Sequence, residues 1–195
     1  MHGKERRIKK FLVELIKPSH YDDQGYVIQW WRGFIPSNSL SCLYGLALDV
    51  SRRRALGPDI TIDIEVRDET NVFIPLNKII ARFAANGNRG LVCLVGVQTN
   101  QYARAMDIAR ELRAAGIQVA IGGFHVSGCL AMLPELTPEL KEAVELGITL
   151  FAGEAEGRLE EIFRAAHENR LQPVYNFMKE MPDLGGRPLP FLPER

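Results

Sequence analysis

The sequence predicts an α/β domain of three layers, with a doubly wound, five-stranded parallel sheet between two layers of helices. Short apolar or alternating runs, typical of strands, interleave with stretches of helical periodicity along most of the 195 residues. The most apolar run, residues 91–97, is continuous rather than alternating. A continuous run of this kind indicates a central parallel strand that is covered on both faces.

Strands and helices alternate in chain order. Residues 60–66 alternate strictly and are rich in β-branched side chains, so one face of this strand is expected to be more polar. Ser37 offers an N-cap, Pro75 suits a first helical turn, and Gly116 suits a helix end. The predicted strands are residues 11–16, 60–66, 91–97, 118–121 and 148–152. The predicted helices are residues 40–54, 75–87, 101–115, 137–147 and 157–170.

This alternation predicts right-handed crossovers and a flavodoxin-like strand order of 2-1-3-4-5. Three segments are expected along the chain. Residues 1–10 form a basic N-terminal lead-in, and residues 11–171 form the α/β domain. Residues 172–195 carry five prolines and form an extended tail or linker, because proline interrupts regular hydrogen bonding.

Charge and hydropathy exclude several classes of function. Lys plus Arg and Asp plus Glu both number 24, so the basic excess that is usual in nucleic-acid-binding proteins is missing. No apolar run approaches the ~20 residues that span a bilayer, and the charged start is unlike a signal peptide. We therefore expect a cytoplasmic protein that binds neither nucleic acid nor membrane. The three widely spaced cysteines indicate neither a disulfide framework nor a metal site.

In a parallel sheet, ligands bind beyond the carboxyl ends of the strands, and the loops predicted there are rich in small and neutral polar residues. Glycine lets a ligand approach the backbone closely, and hydroxyl and amide groups offer uncharged donors and acceptors. Plain turn chemistry explains any one such loop, but four loops on one edge favour a binding site. Trp30 and Trp31 lie in the same region, and we expect one in the core and the other over a ligand or partner. The candidate site residues are Ser19, His20, Tyr21, Gln98, Thr99, Tyr102, Gly122, Gly123, Phe124, His125, Gly153 and Glu154.

These loops carry a specific likeness. Gly122-Gly123-Phe124-His125 and, after an acidic and apolar helix, Gly153-Glu154-Ala155-Glu156 resemble the GG-x-H and G-E-x-E motifs of radical SAM proteins with an N-terminal cobalamin-binding domain. Residues 17–25 are similar to the K-P-S-x-Y-D-x-x-G loop that opens several of these proteins. The likeness covers residues 11–195. The motifs are moderately specific together and weak singly.

The resemblance implies a module that holds a corrinoid across the carboxyl edge, with the nucleotide tail inserted between sheet and helices. Gly122 and Gly123 would make room for that tail, and Thr99 would stand where cobalamin domains carry a serine. Gly153 and Glu154 would border the pocket, although a carboxylate at a helix N-terminus is equally explained by the helix dipole. The implied partner is a radical SAM catalytic domain in cis or in trans.

Two departures from the family pattern limit what this chain does. In the D-x-H-x-x-G motif, the histidine coordinates cobalt, but Pro18 and Asp23 replace the aspartate and glycine around His20. We therefore expect base-off cobalamin without a histidine ligand, and a hydrogen-bonding rather than a metal-binding role for His125. The C-x-x-x-C-x-x-C triad is absent, so a [4Fe–4S] cluster and S-adenosylmethionine would belong to a separate catalytic domain.

Two other interpretations remain open from the sequence. One is a cofactor-free interaction domain of a radical SAM system. The other is an independent flavodoxin-like enzyme that binds a flavin or nucleotide. Against the enzyme, the first loop lacks a phosphate cradle rich in Ser and Thr, and no G-x-G-x-x-G motif follows a strand.

The cysteine spacing generates a first prediction. The chain by itself will not cleave S-adenosylmethionine after anaerobic iron–sulfur reconstitution, because its three cysteines lie 36 or more residues apart in sequence, and the triad is missing. Formation of 5′-deoxyadenosine, followed by liquid chromatography, measures the reaction. A cluster that supports turnover would contradict the prediction.

Overall fold

The structure is a computed structural model that describes residues 9–30 and 37–193. Six parallel strands form one sheet in the order β2-β1-β3-β4-β5-β6, which confirms the doubly wound α/β class and the predicted order of the first five strands. The strands are β1 (Lys9–Lys17), β2 (Ile60–Asp68), β3 (Gly90–Leu94), β4 (Val119–Gly122), β5 (Thr149–Ala152) and β6 (Val174–Asn176). The helices are α1 (Asn38–Arg52), α2 (Leu76–Ala85), α3 (Tyr102–Ala114), α4 (Phe124–Met132), α5 (Pro138–Glu145) and α6 (Leu159–His167). A single 3-10 turn, Thr99–Gln101, precedes α3.

Strand β1 lies inside the sheet between β2 and β3. Leu15 pairs with Val66 on one side and with Cys93 on the other. Residues 11–16 of β1 and every residue of β3 are buried, because helices cover both faces of these strands. The basic segment predicted at residues 1–10 falls mostly outside the described residues, and Lys9 and Lys10 already belong to β1.

Two hydrophobic clusters lie on opposite faces of the sheet. Val13 and Leu15 of β1 point into the cluster that contains residues of α1 and α6. Leu12 and Ile16 point into the other cluster, which contains residues of α2, α3, α4 and α5. Successive residues of a strand face opposite sides, so one strand feeds both clusters, and the three-layer architecture follows.

An ionic cluster occupies the polar face of β2, as its alternating sequence predicts. Glu14 of β1 is fully buried and accepts hydrogen bonds from Arg67 of β2 and from Arg82 of α2, with N–O distances of 2.5 and 3.0 Å. Burial raises the pKa of Glu14 to about 7, although the two arginines oppose this shift. These contacts fasten α2 to the sheet edge formed by β2.

Two elements differ from the sequence prediction. Residues 122–128 were expected to form a loop, but α4 begins at Phe124. The apolar residues of this helix do not form a single stripe, so no helical period was visible. The sixth strand, Val174–Asn176, lies within the predicted tail and extends the sheet beyond β5 through pairs such as Phe151 with Tyr175. Its three residues directly follow Pro173 and are too few to show a pattern.

The segment after β6 contains no helix or strand between residues 177 and 193, yet it lies on the domain. The N–H of Phe191 donates to the carbonyl of Ser41 over 3.0 Å, and its ring stacks on Tyr44 of α1 at 5.9 Å between centroids. Arg158 pairs with Glu180 and lies over the ring of Phe177. The segment therefore connects the edge strand β6 with α1.

Helix α4 starts at a close crossing of two backbone segments. Gly123 has φ +143°, and a Cβ atom there would lie 2.2 Å from the nitrogen of Val97. Hydrogen bonds fix the crossing: Val97 donates to the carbonyl of Gly122, and His125 donates to the carbonyl of Val97. Only glycine fits this position without moving the backbone.

Two alanine substitutions five residues apart test this crossing. Gly123→Ala should destabilise the domain by about 1–3 kcal/mol, because the new methyl group meets fixed backbone atoms. Gly128→Ala, inside the same helix, meets nothing within 4 Å and should stabilise by about 0.5–1 kcal/mol. Urea denaturation measures both free energies of unfolding. Equal effects of the two changes would show that the crossing is not tightly packed.

Candidate functional site

The carboxyl ends of all six strands lie on one edge of the sheet, because every strand pair is parallel. The strand order reverses between β1 and β3, since the chain runs from β1 outward to β2 and then returns to β3. Open α/β sheets bind ligands at such a reversal. We call the loops and helix starts that follow the strands the carboxyl edge, and the predicted site residues all lie there.

The first loop is held by its own polar side chains. Ser19 is fully buried, and its hydroxyl donates to the carbonyl of Ile28. The hydroxyl of Tyr21 donates to Asp107 of α3 over 2.6 Å. Burial and this hydrogen bond raise the pKa of Tyr21. The two side chains therefore stabilise the loop, whereas His20 is partly exposed and contributes its carbonyl to the N–H of Ile28.

A buried ion pair supports this loop from below. Glu69 follows β2 directly and is 1% exposed. Both of its carboxylate oxygens accept from Arg104 of α3, at N–O distances between 2.7 and 3.2 Å, and one oxygen also accepts from the N–H of Ser19. Burial lowers the pKa of Arg104, but hydrogen bonds to Glu69 and Tyr21 raise it by more. The pair thus links three neighbouring elements.

The turn after β3 contributes exposed neutral groups. The N–H of Gln98 donates to the side chain of Gln101 over 2.9 Å, and Gln101 in turn donates to the carbonyl of Pro18 in the first loop. Gln98 and Thr99 are exposed at the edge. Tyr102 is buried instead, and its hydroxyl donates to the carbonyl of Glu139 over 3.1 Å. Burial raises the pKa of Tyr102.

The structure gives Gly123, the second of the two glycines at the end of β4, a packing role that the sequence did not predict. The space beside Gly123 is filled by the backbone of Gly96 and Val97, and a Cβ on Gly122 would lie 3.4 Å from the side chain of Phe151. Close packing of the chain against itself explains Gly123, so this position does not provide an open slot for a ligand. Leucine at this position would meet backbone atoms and would therefore disrupt the fold.

Phe124 and His125 begin α4 and point in different directions. Phe124 is 67% exposed, whereas His125 is 7% exposed and lies against the ring of Tyr102 at 4.3 Å between centroids. The Nε2 atom of His125 lies 3.0 Å from Oε1 of Glu139, and its Nδ1 atom lies 3.5 Å from the hydroxyl of Thr99. His125 thus belongs to a buried polar contact on a helix rather than to a loop.

The loop after β5 borders both α4 and α1. The N–H of Gly153 donates to the hydroxyl of Ser127 over 3.2 Å, and a Cβ on Gly153 would lie 2.8 Å from the backbone of Phe177. Glu154 is exposed. Burial raises the pKa of the Cys42 thiol in α1, and the negative charges of Glu156 and Glu154 raise it further. The negative charges of Glu154 and Glu156 are therefore close enough to affect a side chain in the first half of α1.

Large apolar side chains are exposed at the carboxyl edge. Trp30 and Phe73 lie in the loops after β1 and β2, where the N–H of Trp30 donates to the carbonyl of Thr70. They are 64% and 76% exposed, and Phe124 after β4 and Met178 after β6 are exposed as well. Exposed large apolar side chains at the ligand-binding edge of a parallel sheet favour a binding surface there. Trp31, the other tryptophan of the predicted pair, lies outside the described residues.

Two cavities lie beside α1. One, of about 300 Å³, lies between α1 and β2 beside Tyr44 and Thr61. The other, of about 310 Å³, lies between α1, α6 and the segment after β6, beside Val50, Leu159 and Arg187. The second cavity opens between the two helices of one layer, next to the start of α6.

Comparison with protein-family models, with curated proteins and with solved structures gives no significant match. Among the described residues, no helix has the length and apolar character needed to cross a membrane.

The structure brings together part of the predicted site. Gln98, Thr99, Phe124 and Glu154 are exposed at the carboxyl edge, whereas Ser19, Tyr102 and His125 are buried in contacts within the protein. Sequence analysis missed Glu69, Arg104 and Phe73. Glu69 and Phe73 lie in the loop after the second strand. Because this strand is parallel to the others, its carboxyl end lies on the same edge, so this loop could have been included in the predicted site.

The buried ion pair generates a prediction for two arginines of the same helix. Arg104→Met should destabilise the protein by about 3–5 kcal/mol, because it leaves the Glu69 carboxylate buried without a partner. Arg110→Met removes only exposed pairs with Asp107 and Glu142 and should cost less than about 1 kcal/mol. Urea denaturation measures both values.

The double variant Glu69→Leu with Arg104→Met serves as the control for the unpaired charge. It should recover part of the stability lost in Arg104→Met, because no carboxylate then remains buried. A double variant less stable than Arg104→Met would contradict this explanation.

Proposed function

We propose that this chain is a corrinoid-binding module whose carboxyl edge receives cobalamin in its base-off form and presents it to a radical SAM catalytic domain, in cis or in trans. The observation that carries the proposal is the set of exposed apolar side chains at the carboxyl edge. Trp30, Phe73 and Phe124 are exposed in the loops and the helix start at this edge, as are the neutral polar side chains of Gln98 and Thr99. The motifs at residues 17–25, 122–125 and 153–156 support the same proposal.

The chemistry of these side chains suits a corrinoid. A corrin ring is broad and apolar on its faces and carries amide groups around its rim. Aromatic side chains bury large apolar areas at little cost in conformational entropy, and amide or hydroxyl groups can donate to and accept from amides. Phe124 would contact the ring, while Gln98 and Thr99 would bind the rim.

The nucleotide tail would not fit beside Gly123, where the sequence predicted it. Backbone atoms fill the space beside Gly123, whereas a cavity of about 310 Å³ opens between α1 and α6. Its lining includes Val50 and Leu159 of the hydrophobic cluster between the sheet and this helix layer, and the family resemblance implies a tail between sheet and helices. The proposal therefore assigns the tail to the α1–α6 side and leaves Gly123 a structural role.

A bound corrinoid would supply cobalt-centred chemistry, and this chain would hold it and shield one face from water. His20 is not assigned as a cobalt ligand, because Pro18 and Asp23 break the motif that would orient it. The substrate would be bound and cleavage of S-adenosylmethionine performed by the catalytic domain, since the cysteine triad is absent here.

A cofactor-free interaction domain is the second candidate, and the packing at Gly123 favours it. If the structure holds no slot for a nucleotide tail at the strand ends, the same apolar edge would contact a catalytic domain directly. The two functions share a surface but differ in one measurable property, which is retention of a corrinoid by the isolated chain.

Retention of hydroxocobalamin by the full chain tests the proposal. After incubation and desalting, the visible absorbance spectrum should show a bound corrinoid. Phe124→Asp should weaken retention by about tenfold or more, which corresponds to ~1.4 kcal/mol, because it places a charge on the apolar surface. His20→Ala should leave the spectrum unchanged.

Leu146→Asp is the matched control, because Leu146 is a partly exposed leucine at the end of α5, on the opposite edge of the sheet. It should retain the corrinoid like the unmodified chain. A folded chain that retains no corrinoid would refute the module and support the interaction domain. Equal retention by the Phe124 and Leu146 variants would refute the assigned surface.

A further inference from the structure

Three potential metal ligands converge beneath the carboxyl edge. They are Nε2 of His125, Sγ of Cys129 and a carboxylate oxygen of Glu139, and all three atoms lie within 4.8 Å of one another. Nε2 lies 3.0 Å from Oε1 of Glu139 and 4.0 Å from Sγ of Cys129. We call these residues the His-Cys-Glu cluster. It lies on the face of the sheet opposite the α1–α6 cavity.

The local structure fixes the positions of these ligands. His125 and Cys129 are four residues apart in α4, so they stand on the same face of the helix. Glu139 lies in the first turn of α5, which Thr137 caps by accepting from the N–H of Leu140. Tyr102 connects the two helices, because its ring packs on His125 and its hydroxyl donates to the carbonyl of Glu139.

The imidazole ring is oriented toward the cluster. Its Nδ1 atom lies 3.5 Å from the hydroxyl of Thr99, and packing on Tyr102 restricts rotation of the ring. The Nε2 atom therefore faces Glu139 and Cys129. A partner on the second ring nitrogen is the usual arrangement for a histidine that binds a metal through the first.

We propose that the His-Cys-Glu cluster binds a divalent transition metal, with Zn²⁺ as the ion that its ligands suit best. Zn²⁺ prefers imidazole, thiolate and carboxylate ligands in tetrahedral geometry. Its usual bond lengths place ligand atoms about 3.4 Å apart for nitrogen and oxygen and about 3.6 Å apart for nitrogen and sulfur. In the structure, the distance from Nε2 to Oε1 and the distance from Nε2 to Sγ each differ from these values by about 0.4 Å. Small side-chain rotations of Glu139 and Cys129 can supply this change.

The site would be accessible from one side. His125 is buried, whereas the Glu139 side chain is 51% exposed. Three protein ligands leave a fourth position of a tetrahedral ion for water or another small ligand. The ion would also join α4 to the start of α5 across the irregular residues 133–137, so binding should stabilise the fold.

Without a metal, a hydrogen bond between His125 and Glu139 would explain their 3.0 Å contact, and that hydrogen bond does not involve the Cys129 thiol. The thiol therefore distinguishes the two cases. Co²⁺ serves as the probe, because a thiolate ligand gives it an intense near-ultraviolet charge-transfer band and a tetrahedral site gives it strong visible absorption.

The experiment titrates the metal-free full chain with Co²⁺ and then displaces it with Zn²⁺, with affinities measured against a chromophoric chelator. The unmodified chain should show the thiolate band, and Zn²⁺ should remove it and raise the Tm. Cys129→Ser should abolish the band and weaken Zn²⁺ binding at least about tenfold. Glu139→Gln, at an exposed side chain, should weaken binding while the fold remains intact.

Cys42→Ser is the control, since Cys42 is likewise a partly exposed thiol on a helix but lies apart from the cluster. It should bind both ions like the unmodified chain, and circular dichroism checks the fold of each variant. A thiolate band that survives Cys129→Ser, or Zn²⁺ binding equal in all four proteins, would overturn the proposal. The outcome does not depend on whether the carboxyl edge binds a corrinoid.

Discussion

The close crossing of Gly123 over Val97 determines much of the carboxyl edge. It lets α4 begin immediately after β4, and the hydrogen bond from His125 to the carbonyl of Val97 sets the rotation of that helix. With this rotation, Phe124 faces solvent and His125 faces Tyr102. One backbone contact thus separates the exposed ring of Phe124 from the buried ring of His125, and both proposed sites depend on it.

The Glu69–Arg104 pair has a comparable influence on the first loop. Because the Glu69 carboxylate is deeply buried, its pair with Arg104 is expensive to separate, and the hydrogen bonds of the pair to Ser19 and Tyr21 place the loop before any ligand arrives. A loop that is ordered in advance loses little conformational entropy on binding. The first loop is therefore held in one conformation at the carboxyl edge. Ser19 and Tyr21, which were predicted to bind a ligand, instead form the hydrogen bonds that fix this loop.

Periodicity was enough to predict the first five strands, their order and five of the six helices, because these elements bury continuous or amphipathic faces. Helix α4 and strand β6 lack such a face, the first because its apolar residues surround the helix and the second because it is three residues long. The edge could be located because parallel strands end together. The partnership of Glu69 with Arg104 could not be predicted, since 35 residues separate them in sequence and no local spacing encodes their contact.

The segment after β6 has a consequence for cooperativity. A three-residue strand at the end of a sheet would ordinarily fray by itself, because it is paired on one side only. Here the same stretch of chain continues past Arg158 and reaches Tyr44, where Phe191 stacks on α1. Opening β6 should therefore disturb the contacts of this segment with α1, so we expect the two ends of the domain to unfold locally as one unit.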